Sequence, residues 1–321
     1  MFFHNGLHGL YGFFEPRRLL PFGLFCTRSS SPLRRKIREI SEIRCKKYPK
    51  LQLRLNMENL TAVKVGGKIV EDEESLQQLL CDFSAIEGAK VLVHGGGRSA
   101  TKVAAQLGIE STMIGGRRVT DAEMLQVVTM VYGGLVNKNI VARLQACGIN
   151  ALGLTGADMN VMQSHKRPMK KVKMEDGTEQ MVDFGFVGDV DRCDGKMLAT
   201  LIGEDVVPVM APLTHDKEGH LLNTNADTIA GETAKALAPY FDVTLIYSFE
   251  HAGVLTDPDD ETSVIPHITA ESFEQLKADG TVSGGMIPKI ENALEAVKAG
   301  VKRVIITKAD AIDGKQGTII S

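Results

Sequence analysis

The chain has 321 residues, 43% apolar and 24% charged, with a formal net charge of −3. That is the composition of a globular protein with enough chain to bury a proper core. No apolar run reaches eighteen residues, which excludes a membrane-spanning helix. The five cysteines (Cys26, Cys45, Cys81, Cys147, Cys193) lie too far apart for a disulfide framework or a Cys-x-x-Cys zinc site.

Charge divides the chain. Residues 1–56 carry twelve Lys/Arg against three Asp/Glu, and the remainder carries 25 against 37. An acidic body argues against nucleic acid as a partner. Six of the twelve Phe fall in the first 25 residues, followed by Arg28, Ser29–Ser31 and Arg34-Arg35-Lys36. Arg-rich, Ser-containing, acid-poor sequence is how organellar transit peptides read, although Gly and Pro break Gly6–Gly23 before it can form a regular amphipathic helix. Residues 1–56 are expected to be a basic extension, disordered or outside the enzyme, with the body opening at Met57. A cytoplasmic location is expected, or an organelle if the extension is a transit peptide.

From residue 61 the pattern alternates between β-branched apolar runs and helical periodicity. Thr61–Val65 predicts a buried strand ending in Gly66-Gly67. Glu73–Glu87 predicts a helix with Leu76, Leu79, Leu80 and Phe83 on one stripe. Lys90–Val93 predicts the next strand, closing on Gly95-Gly96-Gly97 and a helix through Leu107. Asp121 is a good N-cap for a helix carrying Met124, Val127, Val128 and Val131. Further strands are expected at Ala151–Leu154, Val206–Met210, Val243–Tyr247 and Val301–Thr307. Helices are expected at Asp194–Gly203, Ala226–Leu237, Ala270–Ala278 and Ile287–Ala299. Arg167–Asp183 and Thr214–Leu222 read as rim hairpins, and Met124, Met130, Met159 and Met162 as core filler. Such alternation implies a mainly parallel sheet covered on both faces, whose ligands bind beyond the carboxyl ends of the strands.

Those strand ends carry the chemistry. Lys64-Val65-Gly66-Gly67-Lys68 and His94-Gly95-Gly96-Gly97-Arg98 are glycine turns that open helices, where backbone N–H groups can approach an anion. No G-x-x-x-x-G-K-[ST] occurs, and Gly95-x-Gly97-x-x-Ala100 matches the dinucleotide fingerprint only nominally. Lys64 is placed to neutralise a phosphate beside the first turn. Lys289, after Gly284-Gly285, starts a helix where the dipole disfavours it. Asn223-Thr224-Asn225-Ala226-Asp227 offers more than the single Asn a cap requires. Arg118 could clamp a carboxylate bidentately. No zinc spacing and no G-x-S-x-G elbow appear.

Together these residues resemble the amino-acid kinase family from about Lys64 to Ile319, and within it the branch that phosphorylates N-acyl-glutamates. The order Lys-x-Gly-Gly, His-Gly-Gly-Gly, Gly-Arg-Arg-Val-Thr, Asn-x-Asn-Ala-Asp, Gly-Met-Ile-x-Lys carries the likeness. The resemblance implies a three-layer αβα sandwich with a mainly parallel central sheet, an acyl-glutamate lobe at about 57–220 and an ATP lobe at about 221–321. It implies transfer of the ATP γ-phosphoryl group to the γ-carboxylate of N-acetyl-L-glutamate in arginine biosynthesis, with Mg²⁺ held mainly by the nucleotide phosphates. Lys64 and Lys289 would flank the phosphoryl group and Asp227 would hold both ammonium groups. Gly67 and Gly96 would donate N–H bonds to phosphate, and Gly96, Gly97, Arg118 and Asn223 would bind the substrate.

Details after Lys68, after the triple glycine and at Tyr247–Gly253 look like Bacteroides-type members, where succinylated intermediates are used. N-succinyl-L-glutamate is therefore the alternative substrate, with Arg117 or Arg98 to read its extra carboxylate. The Tyr247–Gly253 loop departs from the family's shorter Asp-Val-x-Gly turn, which leaves the adenine contacts open. Arginine-inhibited members carry an amino-terminal helix that links dimers into hexamers. Residues 1–56 show no convincing match, so a homodimer insensitive to arginine is expected, with neither nucleic acid nor membrane as partner. Two other classes compete. A nucleotide-dependent oxidoreductase would leave both lysines without a role, and a non-catalytic effector-binding protein would be expected to have lost Lys64, Asp227 or Lys289.

Overall fold

The computed structural model describes residues 57–321, except 175, 176 and 258. The expectations for residues 1–56 therefore lie outside the described residues. In chain order the strands are β1 Asn59–Val65, β2 Ala89–His94, β3 Met113–Ile114, β4 Arg117–Arg118, β5 Ala151–Leu154, β6 Met162–Lys166, β7 Lys170–Lys173 and β8 Glu179–Val182, then β9 Gly188–Cys193, β10 Val207–Met210, β11 Leu213–His215, β12 Leu221–Asn223, β13 Asp242–Phe249, β14 His267–Ile268, β15 Arg303–Lys308 and β16 Thr318–Ile320. The helices are α1 Gly67–Glu71, α2 Glu73–Ala85, α3 Gly97–Gln106, α4 Ala122–Val128, α5 Asn137–Ala146, α6 Gly195–Gly203, α7 Ala226–Leu237, α8 Ala270–Ala278 and α9 Met286–Lys298. A π-helical stretch, Thr129–Val136, joins α4 to α5.

Eight strands form one sheet in the order β14-β16-β15-β13-β1-β2-β10-β5, parallel throughout except where β15 meets β16. Its central strand β1 is flanked by β13 and β2. Apolar side chains cover both faces. Leu60 and Ala62 of β1 belong to one cluster with α6, α7, α8 and α9. Val63 and Val65 belong to the opposite cluster with α2, α3, α4 and α5. Alternation along a strand thus builds the three-layer αβα sandwich, each buried Leu, Ile or Phe contributing about 1.5–3 kcal/mol.

A second sheet, β12-β11-β6-β9, and two small ribbons, β3-β4 and β7-β8, stand at the strand ends. The expected Thr214–Leu222 hairpin is the β11-β12 part of this sheet. The β7-β8 ribbon is the expected Arg167–Asp183 hairpin, and its rim has a small core of its own, built on Val182, Phe184 and Val187. Of the four methionines expected inside, Met124 and Met162 are buried, but Met130 and Met159 are 53% and 49% exposed. Met130 falls off the inward stripe set by Met124, Val127, Val128 and Val131, and Met159 sits in a turn at φ 52°. Among the described residues no helix is long and apolar enough to cross a membrane.

The buried Lys90 closes one helix. Its ammonium donates to the carbonyls of Phe83 (3.3 Å), Ser84 (2.9 Å) and Ile86 (2.7 Å), at the carboxyl end of α2. A helix end leaves such carbonyls short of donors, and of the three that of Phe83 also takes a backbone N–H, from Ile86. Replacing Lys90 by Met keeps the stem and removes all three donors, so urea unfolding should show a loss of about 1–3 kcal/mol. An unchanged midpoint would refute the capping role.

Candidate active site

The parity of β1 decides where Lys64 goes. Positions 60, 62 and 64 share a face, so Lys64 continues the row of Leu60 and Ala62 and emerges toward the start of α7. There its ammonium meets Asp227 Oδ1 at 2.8 Å. Asn225 caps α7 by accepting from the N–H groups of Asp227 (2.7 Å) and Thr228 (3.3 Å). Asp227 then occupies the first turn, where the helix dipole favours a carboxylate. Tyr247, the register partner of Lys64 on β13, donates its hydroxyl to the Asp227 carbonyl at 3.3 Å. Burial, then the Asp227 and Glu232 charges, push that phenol above its usual range.

The two glycine turns pack against each other. A Cβ on Gly95 would lie 3.2 Å from the nitrogen of Gly67, and one on Gly67 would lie 3.8 Å from the nitrogens of both Gly96 and Gly97. Side-chain oxygens of Asp72, Asp121, Asp194, Asn225 and Thr269 cap other helices. In contrast, α1, α3 and α9 begin at Gly66, Gly96 and Gly285 with no side-chain cap. Gly96, Gly97 and Gly285 line one cavity of about 470 Å³ together with Arg118, Asn223, Asp227 and Lys289. Lys64 and Gly67 are not among its lining residues, but Lys64 is ion-paired to Asp227 and Gly67 packs against the Gly95–Gly97 turn. All eight residues singled out in the sequence thus gather at one place.

At one end, Gly115 and Gly116 turn the β3-β4 ribbon with φ of 54° and 72°, which delivers Arg118. Its guanidinium donates to the Gly97 carbonyl (2.8 Å), to Thr101 Oγ1 (2.9 Å) and to Ser111 Oγ, and among the described residues it meets no carboxylate. Asn223 donates to the buried Thr120 hydroxyl at 2.9 Å. Thr120 is held in turn by the Phe184 carbonyl and the Phe186 N–H across Gly185, where a Cβ would strike the Thr120 carbonyl. Arg117 also lines the cavity, whereas Arg98 is exposed and is not among the lining residues.

At the other end the expected pairing of Asp227 with both lysines is half made. Asp227 binds Lys64, while the Lys289 ammonium lies 3.3 Å from the centroid of the Phe249 ring. Phe249 belongs to the loop that departs from the family pattern, and a ring face attracts a cation. Burial lowers the Lys289 pKa below the ordinary lysine value; Asp227 opposes this, Lys64 adds to it and Glu250 opposes it.

The family model for the amino acid kinase family matches residues 59–308. The chain belongs to the amino acid kinase family. The acetylglutamate kinase of Bacteroides thetaiotaomicron is 67% identical over 263 residues, 82% of this chain and 98% of that protein. That of Parabacteroides distasonis is 64% identical over 262 residues, 82% and 99%. The solved carbamate kinase of Giardia superposes with a TM-score of 0.55 at 17% identity, covering 81% and 98%, and shares the fold.

Several lining residues of this amino acid kinase escaped the sequence reading. Tyr132 continues an apolar helical stripe and so reads as core, yet it packs against the glycine turn. Arg167 sits in a polar interruption, where its bidentate pairing with Asp189 has no local signal. Asn292 is one turn beyond Lys289 on α9, a spacing that could have revealed it. Tyr132 also yields a test. A Cβ on Gly96 would lie 2.9 Å from Cδ1 of the Tyr132 ring, which is 4% exposed and has no room to retreat. Gly96→Ala should therefore misplace the turn and cut the kinase turnover number on the order of a hundredfold. Turnover within threefold of wild type would refute this.

Proposed function

We propose that the cleft transfers the γ-phosphoryl group of ATP to the γ-carboxylate of N-acetyl-L-glutamate, giving N-acetyl-L-glutamyl 5-phosphate for arginine biosynthesis. One observation carries the reading. A carboxylate-free guanidinium, Arg118, and the amide of Asn223 lie at one end of the cavity whose other end holds Asp227 and Lys289, with uncapped glycine turns between them. Residues 57–220 then form the acyl-glutamate lobe and residues 221–321 the ATP lobe. The 64–67% identity to acetylglutamate kinases over nearly their whole length supports the same substrate.

In this mechanism Arg118 binds the α-carboxylate and Asn223, Gly96 and Gly97 hold the rest of the acyl-amino acid. Lys64 and Lys289 flank the phosphoryl group in flight, the N–H groups of Gly67 and Gly96 donate to its oxygens, and Asp227 orients Lys64. The acceptor carboxylate is already ionised, so no general base is needed and catalysis consists of positioning and charge stabilisation. Asp227 is the one carboxylate among the lining residues and is committed to Lys64. That donor set suits a Mg²⁺ ion carried by the ATP phosphates rather than caged by protein, which would supply neutralising charge there. The enzyme acts as a homodimer, for which exposed Met130 and Leu135 offer apolar surface. It works in the cytoplasm, consistent with free thiols at Cys81, Cys147 and Cys193.

A second reading, N-succinyl-L-glutamate as substrate, rests on Arg117, which lines the acyl end without a salt bridge among the described residues. ADP release with each acyl-glutamate, free glutamate, carbamate and aspartate tests both readings. N-acetyl-L-glutamate should be used best, Lys64→Ala and Lys289→Ala should each lower kcat on the order of a hundredfold or more, and Arg118→Ala should chiefly raise KM for the acyl-amino acid. Near-normal kcat in both lysine variants would sink the mechanism. A preference above about tenfold for the succinyl compound, lost in Arg117→Ala, would transfer the assignment to the second reading.

The lowered pKa of Lys289 has a pH signature. Its charged form is the active one, so kcat should fall as pH rises through a value below that of an ordinary lysine. Asp227→Asn removes the influence that most strongly raises this pKa, so the alkaline limb of its residual activity should move to lower pH. A limb that stays in place or moves up would contradict the assignment.

A further inference from the structure

We propose that His94 and Asn137 are positioning residues that hold the Gly95–Gly96 peptide from its buried side, so that the Gly96 N–H faces the cleft. The inference rests on the kinase reading above, in which that N–H donates to the phosphoryl group. His94 and Asn137 are 0% and 1% exposed, and neither lines the cavity. His94 Nδ1 lies 2.7 Å from the Gly95 carbonyl oxygen, and His94 Nε2 lies 3.1 Å from Asn137 Nδ2.

The direction of every proton in this chain follows from its far end. Lys138 donates its ammonium to Asn137 Oδ1 at 3.1 Å and to the Gly153 carbonyl at 3.0 Å. The oxygen of the Asn137 amide therefore faces Lys138 and its nitrogen faces inward. One amide hydrogen goes to the Val209 carbonyl at 2.9 Å. The other goes to His94 Nε2, which must accept. The proton on the neutral ring is then on Nδ1, which donates to the Gly95 carbonyl. Burial first, with the Lys138 charge in the same direction and the Gly95 bond opposing, brings the His94 pKa down to about 4, so the ring is neutral at physiological pH.

A trans peptide points its N–H opposite to its C=O, and no cis peptide bond occurs among the described residues. Pinning the Gly95 oxygen to the buried imidazole therefore turns the Gly96 N–H away from it, toward the cleft, where no acceptor within the described residues takes it. Glycines at 95 and 96 permit close packing, but they leave this peptide free to rotate. The histidine removes that freedom.

The alternative is that His94 is simply a satisfied core residue, and the two roles separate by experiment. His94→Leu fills the space and removes the donor. His94→Asn restores a nitrogen where Nδ1 stood. For the positioning role, His94→Leu should lower kcat on the order of ten- to a hundredfold, and His94→Asn should recover most of the lost kcat. Gly153→Ala, whose Cβ would collide with the Asn137 side chain, should lower kcat in the same way from the neighbouring strand. Thermal unfolding of each variant accompanies the kinetics. A kcat for His94→Leu within twofold of wild type, or equal losses in the Leu and Asn variants that track their melting temperatures, would overturn the proposal. Ring ¹⁵N signals of wild-type His94 give a readout that needs neither a folded variant nor turnover. A neutral ring protonated on Nδ1 is expected, and protonation on Nε2 would overturn the inference. Failure of the kinase reading would look different: wild-type protein would release no ADP with N-acetyl-L-glutamate, whatever the tautomer.

Discussion

Helix starts whose backbone N–H groups no side chain caps are the constraint on which the cleft depends. A helix start carries donors that must find partners, and elsewhere in the molecule Asp, Asn or Thr supplies the acceptor. Glycine stands in the capping position at α1, α3 and α9 and supplies none. Uncapped donors at a helix start beside a cavity favour an anion there before any lysine is counted. Lys289, Arg117, Arg118 and Arg167 then surround a cavity with one carboxylate among its described lining residues, a cationic basin in a body whose sequence is acidic.

The cations are held by different means. Lys64 emerges from the middle of the sheet because strand parity continues the face of Leu60 and Ala62, and Asp227 fixes its head. Lys289 lies on a short first helical turn and rests on an aromatic face. The first is therefore rigid with the sheet, and the second depends on the loop that carries Phe249. Arg118 hangs on a two-residue strand but is tied to the start of α3 through the Gly97 carbonyl, so the guanidinium and the glycine turn share one helix terminus.

Much of this was legible in the sequence because local chemistry and tertiary position coincide. The boundaries of α7 and α8 follow directly from Asn225 and Thr269 as caps, and the stripe Leu76, Leu79, Leu80 and Phe83 is buried as its spacing implies. Glycine turns after strands marked part of the cavity wall for the same reason. What stayed hidden depends on partners distant in sequence. Tyr132 looks like core until Gly96 is placed against its ring. Arg167 looks like a rim charge until Asp189 arrives across β6 and β9. The resting place of Lys289 on Phe249 could not be read from either segment, since the contact joins β13 to α9. Met130 and Met159 were misjudged because residue type was weighed without helical phase or turn geometry.

The small separate core of Val182, Phe184 and Val187 makes the rim near Arg117 and Arg118 a cooperative unit apart from the sandwich. Opening it exposes a handful of side chains, at about 1.5–3 kcal/mol for each one fully uncovered, whereas opening the sheet uncovers both principal clusters. Amides of the β7-β8 ribbon accordingly belong to the low-energy tier of native-state hydrogen exchange, and those of β1 and β2 to the tier that exchanges only through global unfolding. Val187 belongs both to this small core and to the cavity wall, so that wall can yield without loosening the sheet that carries Lys64.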